Sequence, residues 1–377
     1  VLTTEARVDP MRLAAIRAPF EAFGGEVLDA PVLQPLSRLL DVAGEALRAR
    51  LFVVQSEQAE EQALRPDFTV AAAMEHIGTG EPFGRYRYEG KAFIAAERGS
   101  DAPTEFLQIG VEQFGAAPDP AAEDAAIVTL AWTAAKAGGR PDLALRLGDP
   151  GLFSRFLNAL GVADAHARRL SRAFGRPGAF AAELHLAEAA REGGGAGGRL
   201  AEQLVRASES EAEVLLQEIW RLSGIQPVGG RTAGEIIGRL RERAQAEQAP
   251  RLTAAEVNLI ARFTELDGEP GAVLDAVAAL GAEAGADLDQ GLQDWRRRLE
   301  LIAGSGAPMS AMRFTTRFVR PFGYYDGMLF EILCPHLSED EPIAGGGRYD
   351  RLPARLGGAP GAVGCMIRPG RAVEAGR

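Results

Sequence analysis

The chain has 377 residues, 46% of them hydrophobic and 25% charged, which is enough apolar surface for one or two buried cores. A formal net charge of −11 repels phosphate backbones and so disfavours general nucleic-acid binding. Two cysteines, Cys334 and Cys365, are too few for a disulfide scaffold, four scattered histidines show no metal-ligand spacing, and no apolar run approaches the roughly 20 residues of a membrane span.

"DPMRLAAIRAPFEAFG" predicts a first helix with Asp9 as N-cap and Pro10 at its first position; Leu13, Ile16 and Phe20 recur on one face. "GGEVLDAPVLQP" reads as extended. "RLFVVQ", "GRYRYEGKAFIAAE" and "TEFLQIGVEQFG" read as strands, being β-branched and aromatic between Gly and polar breaks. "AEDAAIVTLAWTAAKAGG" predicts a helix that stops at a glycine pair, and "DPGLFSRFLNALG" another, capped by Asp149 with Pro150 first. Residues 161–308 turn to Ala, Glu, Leu and Arg with little strand character. "SESEAEVLLQEIWRL" carries a capping box, Ser208 to Glu211, and sets Leu215, Ile219 and Leu222 on one face; Thr253 and Glu256 repeat the box. "REGGGAGGRL" and "SGIQPVGGR" read as flexible connections. Strand texture returns in "MRFTTRFVR", "GYYDGMLFEILCP", "PIAGGGRYDRL" and "GAVGCMIRP". The order predicts an α+β protein: residues 1–160 and 309–377 build one sheet domain, interrupted by a helical insertion at 161–308. With no signal-peptide pattern at the start, the expected location is the cytoplasm, with no cofactor and no metal.

Four stretches carry polar chemistry. In "LRPDFT", Arg65, Asp67 and Thr69 stand where an extended piece turns into a helix; a cap and turn suffices to explain them. In "EFLQIGVEQFG", strand alternation puts Phe106, Gln108, Gly110 and Glu112 on one face and Leu107, Ile109 and Val111 on the other. The even face is either solvated or the floor of a small polar pocket. In "RFVRPFGYYDG", Arg320 precedes Tyr324 and Tyr325, which in a strand point to opposite faces, so at most one lines a pocket. "GGGRYD" lacks the lysine and the Ser/Thr of a phosphate loop and reads as a tight turn leading to Arg348 and Tyr349.

In order, these stretches resemble the catalytic core of class II histidyl-tRNA synthetases. "LRPDFT" resembles that family's "LRPEGT", "EFLQIGVEQFG" its "EFHQIGVEVFG", "RPFGYYDGMLFEI" its "RGLDYYTGTVFE", and "AGGGRYDRLPARLGG" with "AVGCMI" its "AGGRYDGL…LGG…AVGF" run. "RYRYEGKAF" resembles the start of motif 2 and "FGGEVLDAPVLQP", with Pro31, resembles motif 1. The resemblance implies a mostly antiparallel sheet flanked by helices. It also implies a histidine site: Asp67, Thr69 and Gln108 on the α-amino group, Glu112 and Tyr325 on the imidazole, Arg320 on the carboxylate, with Tyr324 and Tyr349 close by. Asp67 has a shorter reach than the family's glutamate.

The departures concern ATP and tRNA. The motif 2 "FRxE", whose arginine holds the ATP α-phosphate, is here "FIAAE", with Ile94 in the arginine's place; Arg98, just downstream, is a substitute. Motif 3 "GLER" becomes "RPGR", keeping Arg371 and replacing the glutamate by Gly370, and no anticodon-binding domain is expected. A kept histidine site beside lost ATP contacts resembles the regulatory subunits of ATP phosphoribosyltransferase. That likeness implies a non-catalytic role in the first step of histidine biosynthesis, a short-form catalytic subunit as partner in a hetero-oligomer (usually a hetero-octamer), histidine as feedback effector, and a self-dimer through the synthetase-like core. The alternative is an ATP-dependent amino-acid-activating enzyme, either a truncated histidyl-tRNA synthetase or a ligase.

Overall fold

The computed structural model describes residues 5, 7–56, 59–96, 100, 102–189, 207–223, 233–320, 323–337 and 342–373. Arg98 and the two Gly-rich connections, 191–200 and 223–231, lie wholly or almost wholly outside them. The chain runs α1 (Pro10–Phe23), β1 (Glu26–Val27), β2 (Leu33–Pro35), α2 (Leu36–Ala43), β3 (Val53–Ser56), β4 (Ala59–Leu64), α3 (Thr69–Thr79), β5 (Gly84–Phe93), β6 (Glu105–Phe114), α4 (Pro120–Ala137), β7 (Ala144–Gly148) and α5 (Pro150–Ala159). Next come α6 (Asp164–Ala173), α7 (Pro177–Glu188), α8 (Glu209–Ser223), α9 (Ala233–Gln248) and α10 (Ala254–Glu265). It continues through β8 (Asp267–Gly268), α11 (Pro270–Glu283), α12 (Asp289–Gly304), β9 (Met312–Thr315), β10 (Leu329–Leu333), β11 (Ala344–Arg348), α13 (Arg351–Arg355), β12 (Ala362–Ile367) and α14 (Pro369–Ala372).

Contacts divide the chain into two compact units, one of residues 1–152, 265–279 and 288–377, the other of 153–264 and 280–287. The expected insertion at 161–308 differs from this at both edges. Its C-terminal edge moves because α12 packs on α4 of the sheet unit, where Arg298 reaches Asp124 at 2.7 Å.

The first unit holds a nine-stranded sheet in the order β1-β5-β6-β12-β11-β10-β7-β9-β8. The β1–β5 and β7–β9 pairs are parallel and the remaining neighbours antiparallel, so the sheet is mixed, with antiparallel pairing predominant. A three-stranded sheet, β2-β4-β3, stands apart from it. Helix α1 starts as its sequence dictates: Asp9 accepts from the backbone N–H groups of Met11 and Arg12, and Ile16 and Phe20 are buried. Asp149 caps α5 through the Leu152 N–H at 3.1 Å, and its second oxygen accepts from Trp295 Nε1 at 2.7 Å.

The glycine triplet is not a turn. Gly345, Gly346 and Gly347 are interior residues of β11, buried between β10 and β12. Sheet pairing overrides the turn tendency of glycine because close neighbours occupy the space that side chains would fill. A Cβ on Gly345 would strike the Arg320 guanidinium, and one on Gly346 the carbonyl of Gly364. Of "MRFTTRFVR" only Met312–Thr315 pairs as strand.

The second unit is helical and centres on phenylalanines. The Phe153 ring stacks on Phe174 at 4.0 Å, and Phe156 on Phe263 at 4.7 Å. Both capping boxes form: Glu211 accepts from Ser208 N–H at 2.8 Å, and Glu256 from Thr253 N–H at 2.6 Å. The buried face of α8 is not the one expected. Ala212 and Leu216 pack with Ile237 of α9, while Leu215 stays 48% exposed; the side chain of Leu222 lies outside the described residues.

Candidate functional site

The register of the large sheet builds a hollow. Glu331, Gly345, Met366, Gly110 and Tyr88 stand opposite one another in one row across β10, β11, β12, β6 and β5. Two residues along, Gly347, Gly364, Glu112 and Tyr86 form the next row. Directly opposed residues share a face, so four glycines stand here beside Glu331, Glu112 and the two tyrosines. The glycines make the room: a Cβ on Gly364 would strike the Glu112 carboxylate, and one on Gly110 the Tyr88 hydroxyl.

The cavity above these rows has a volume of about 50 Å³ and is lined by Asp67, Thr69, Gln108, Glu112, Arg320, Tyr324 and Tyr325, seven of the eight residues expected at the site. Tyr349, the eighth, stands behind Glu112 and donates its hydroxyl to Glu112 Oε2. The even face of β6 is therefore a buried floor, with Gln108 2% and Glu112 3% exposed. Tyr324 and Tyr325 both line the cavity, against the strand-alternation argument. Residues 323–328 are turn and irregular backbone, with no pleat to send them to opposite sides, and their rings lie 4.7 Å apart.

Glu112 is held by donors on both oxygens. Thr69 Oγ1 at 2.8 Å and the Tyr88 hydroxyl at 3.1 Å reach Oε1, and the Tyr349 hydroxyl reaches Oε2. Asp67 accepts from the Thr69 N–H and from the Tyr324 hydroxyl, each at 3.2 Å. Burial pushes the Glu112 carboxyl up to about 7 and that of Asp67 up to about 6, against the pull of these hydrogen bonds. Burial likewise pushes the Tyr325 phenol up to about 12 and those of Tyr88, Tyr324 and Tyr349 well above the usual range, so all four are neutral donors near neutral pH.

Arg320 is the one cation among the described residues that line the cavity. Its Nη1 donates to Glu331 Oε1 at 3.0 Å, and its guanidinium lies 5.8 Å from the centre of the Tyr325 ring. Ile94 forms part of the wall, and Arg371 is not among the lining residues. Among the described residues no three His, Cys, Asp or Glu side chains come together as a metal site, and no helix is long and apolar enough to cross a membrane.

Two contributors were missed from the sequence. Tyr88 donates to Glu112, accepts from Gln108 Nε2 at 3.4 Å, and stacks on Phe68 at 4.3 Å; the Arg65 guanidinium covers the Phe68 ring at 4.2 Å. The alternation of "GRYRYEG" puts Tyr86 and Tyr88 on one face, but the pairing that sets Tyr88 opposite Gly110 belongs to the register of β5 with β6. Glu331 pairs with Arg320, and nothing local in "MLFEIL" marks it, because its partners come from other strands and loops.

This sheet, with a polar hollow over its central strands, is that of a class II aminoacyl-tRNA synthetase-like protein. A family profile described as histidyl-tRNA synthetase matches residues 1–218 and 233–370. An ATP phosphoribosyltransferase regulatory subunit from Brucella anthropi is 32% identical over 345 residues, covering 91% of this chain and 90% of that protein. One from Chelativorans sp. is 34% identical over 332 residues, covering 87% of each. Among solved structures, an ATP phosphoribosyltransferase regulatory subunit/histidyl-tRNA synthetase from Bacillus halodurans C has a TM-score of 0.63 at 18% identity, covering 97% of this chain and 79% of that one. A histidine–tRNA ligase subunit from Alicyclobacillus acidocaldarius has a TM-score of 0.55 at 20% identity, covering 97% and 94%. The chain belongs to the histidyl-tRNA synthetase-like family and, within it, to the ATP phosphoribosyltransferase regulatory subunits.

Proposed function

We propose that the cavity binds free histidine and that the chain acts as the non-catalytic regulatory subunit of ATP phosphoribosyltransferase. The observation that carries this reading is the convergence of two buried acids, one buried arginine and a ring of neutral phenols in a single hollow. Histidine offers an ammonium, a carboxylate and an imidazole with two distinct nitrogens. The ammonium suits Asp67, Thr69 and Gln108, the imidazole suits Glu112 and Tyr325, and the carboxylate suits Arg320. Tyr88, Tyr324 and Tyr349 orient the two acids.

Adenylation is disfavoured by the same geometry. Ile94 presents a hydrocarbon wall where a phosphate would need a cation. The working partner is then a short-form catalytic subunit, activated by this chain and inhibited when histidine fills the hollow, with the sheet unit pairing with a second copy of itself. Calorimetric titration with histidine tests the reading. Saturable one-site binding is expected; absence of binding contradicts it. Histidine-dependent ATP–pyrophosphate exchange above background contradicts the non-catalytic part.

A further inference from the structure

Arg320 is held in an unusual way for a residue meant to read a ligand. Its fork is already partly engaged: Nη1 donates to Glu331 Oε1 at 3.0 Å and lies 3.5 Å from the Phe330 carbonyl oxygen. Its Nε, by contrast, is buried and has no hydrogen-bond partner among the described residues. An unpartnered N–H on a guanidinium 8% exposed is costly unless something fills the place in front of it. Arg320 also lines the cavity, so the part of its fork that Glu331 does not hold is what a ligand there can engage.

The sheet register explains how this arises. Glu331 of β10 stands opposite Arg146 of β7 on one side and opposite Gly345 of β11 on the other. Gly345 has no side chain, and the Arg320 guanidinium occupies the space above it. Glu331 is thus fixed in the sheet, with Arg146 Nη1 4.0 Å from its far oxygen, and reaches Arg320 with the near one. A carboxylate anchored in a strand holds one corner of a guanidinium that comes from a loop.

We propose that Glu331 is a positioning residue that makes the pocket select for a free carboxylate, by gripping Nη1 of Arg320 and so fixing the orientation in which the rest of the guanidinium meets the ligand. The inference rests on the reading of the hollow as a histidine site. It predicts what the pocket disfavours: an otherwise identical ligand with a neutral amide in place of the carboxylate has one acceptor oxygen and no charge, so it cannot form the two-oxygen ion pair with the guanidinium.

The test compares histidine with histidinamide by calorimetry on the full chain and on variants at 331. Wild type should prefer histidine by roughly tenfold or more. Glu331→Ala should bring the two affinities within about threefold of each other, because a loose guanidinium no longer meets the ligand in a fixed orientation. Glu331→Asp keeps the charge but withdraws it by one methylene, and should lose the preference too. Glu331→Gln keeps an oxygen facing Nη1 and should retain the preference. A purely structural role would lower both affinities together and leave their ratio unchanged. A wild-type ratio in Glu331→Ala overturns the inference; where that variant fails to fold, a wild-type ratio in Glu331→Asp does so. A wild-type chain that binds histidine with no preference over histidinamide also overturns it while the histidine reading stands. A wild-type chain that binds neither ligand removes that reading, and this inference with it.

Discussion

Glu112 is well supplied with hydrogen bonds and poor in neighbouring positive charge, and that imbalance has a measurable consequence. Its carboxyl is pushed up to about 7 from an ordinary 4.5, and that of Asp67 up to about 6 from 3.8, burial being the main cause in both. A carboxyl raised on folding contributes stability that is complete below its unfolded value and is lost as pH rises through the folded one. The ligand-free chain should therefore lose melting temperature between about pH 4 and pH 7. Glu112→Gln, which cannot ionise, should flatten much of that slope; a slope identical to wild type in thermal denaturation would show that Glu112 does not titrate there. In the proposed binding mode the same substitution removes the charge that faces the imidazole. A hydrogen bond to a charged group contributes about 1.5–3 kcal/mol, so histidine affinity should fall roughly 10- to 150-fold by calorimetry, and unchanged affinity rejects the assignment. At this scale the sequence singled out Asp67, Gln108 and Glu112 from their own motifs, and all three line the one cavity. Tyr88 and Glu331 act across strands, and their roles depend on a register that no single segment contains.

Strand β11 shows what an element adds. Its glycines shape the hollow by what they lack, so filling one should damage both stability and binding. Gly345→Ala places a methyl group into the Arg320 guanidinium. Overpacking of this kind costs about 1–3 kcal/mol, and denaturant unfolding should report such a loss together with weakened histidine binding. A variant of wild-type stability and affinity would show that the guanidinium has room to move. Helix starts were legible because capping is local: Asp9, Asp149, Ser208 and Thr253 stand where their sequences place them. The reach of Asp149 to Trp295 was not legible, since it joins residues 146 positions apart. Asp149→Ala should therefore cost more than a simple cap, about 2–3 kcal/mol against roughly 1, by leaving the Trp295 N–H buried and unpaired. Strands β4 and β7 escaped notice because "AEEQAL" and "ALRLG" are rich in helix-forming residues, and pairing overrides that preference. The Tyr324–Tyr325 argument failed for a related reason, being sound for a strand and applied to a turn.

For the whole molecule, a sheet built from both ends of the chain with helices between was readable from texture alone. The edges of the helical part were not, because α12 has the composition of its helical neighbours and packs on α4. Its Arg298 and the Arg348 of β11 converge on Asp124, a fully buried carboxylate, which ties α12 to the strand preceding Tyr349. The central claim is that this fold, with its synthetase-like hollow, serves to control another enzyme. If histidine at the hollow and catalysis in the partner are linked, one coupling free energy of about 1–3 kcal/mol joins them. Replacing Arg320 by Lys keeps the charge and loses the fork, so it should weaken the effector without preventing assembly. The most direct measurement is the activity of a short-form ATP phosphoribosyltransferase catalytic subunit, alone and with this chain, across a histidine titration, for wild type and Arg320→Lys. The account predicts that the chain raises the activity, that histidine lowers it again, and that Arg320→Lys still activates while its inhibition curve moves to higher histidine. Catalytic activity that is the same with and without the chain would contradict it.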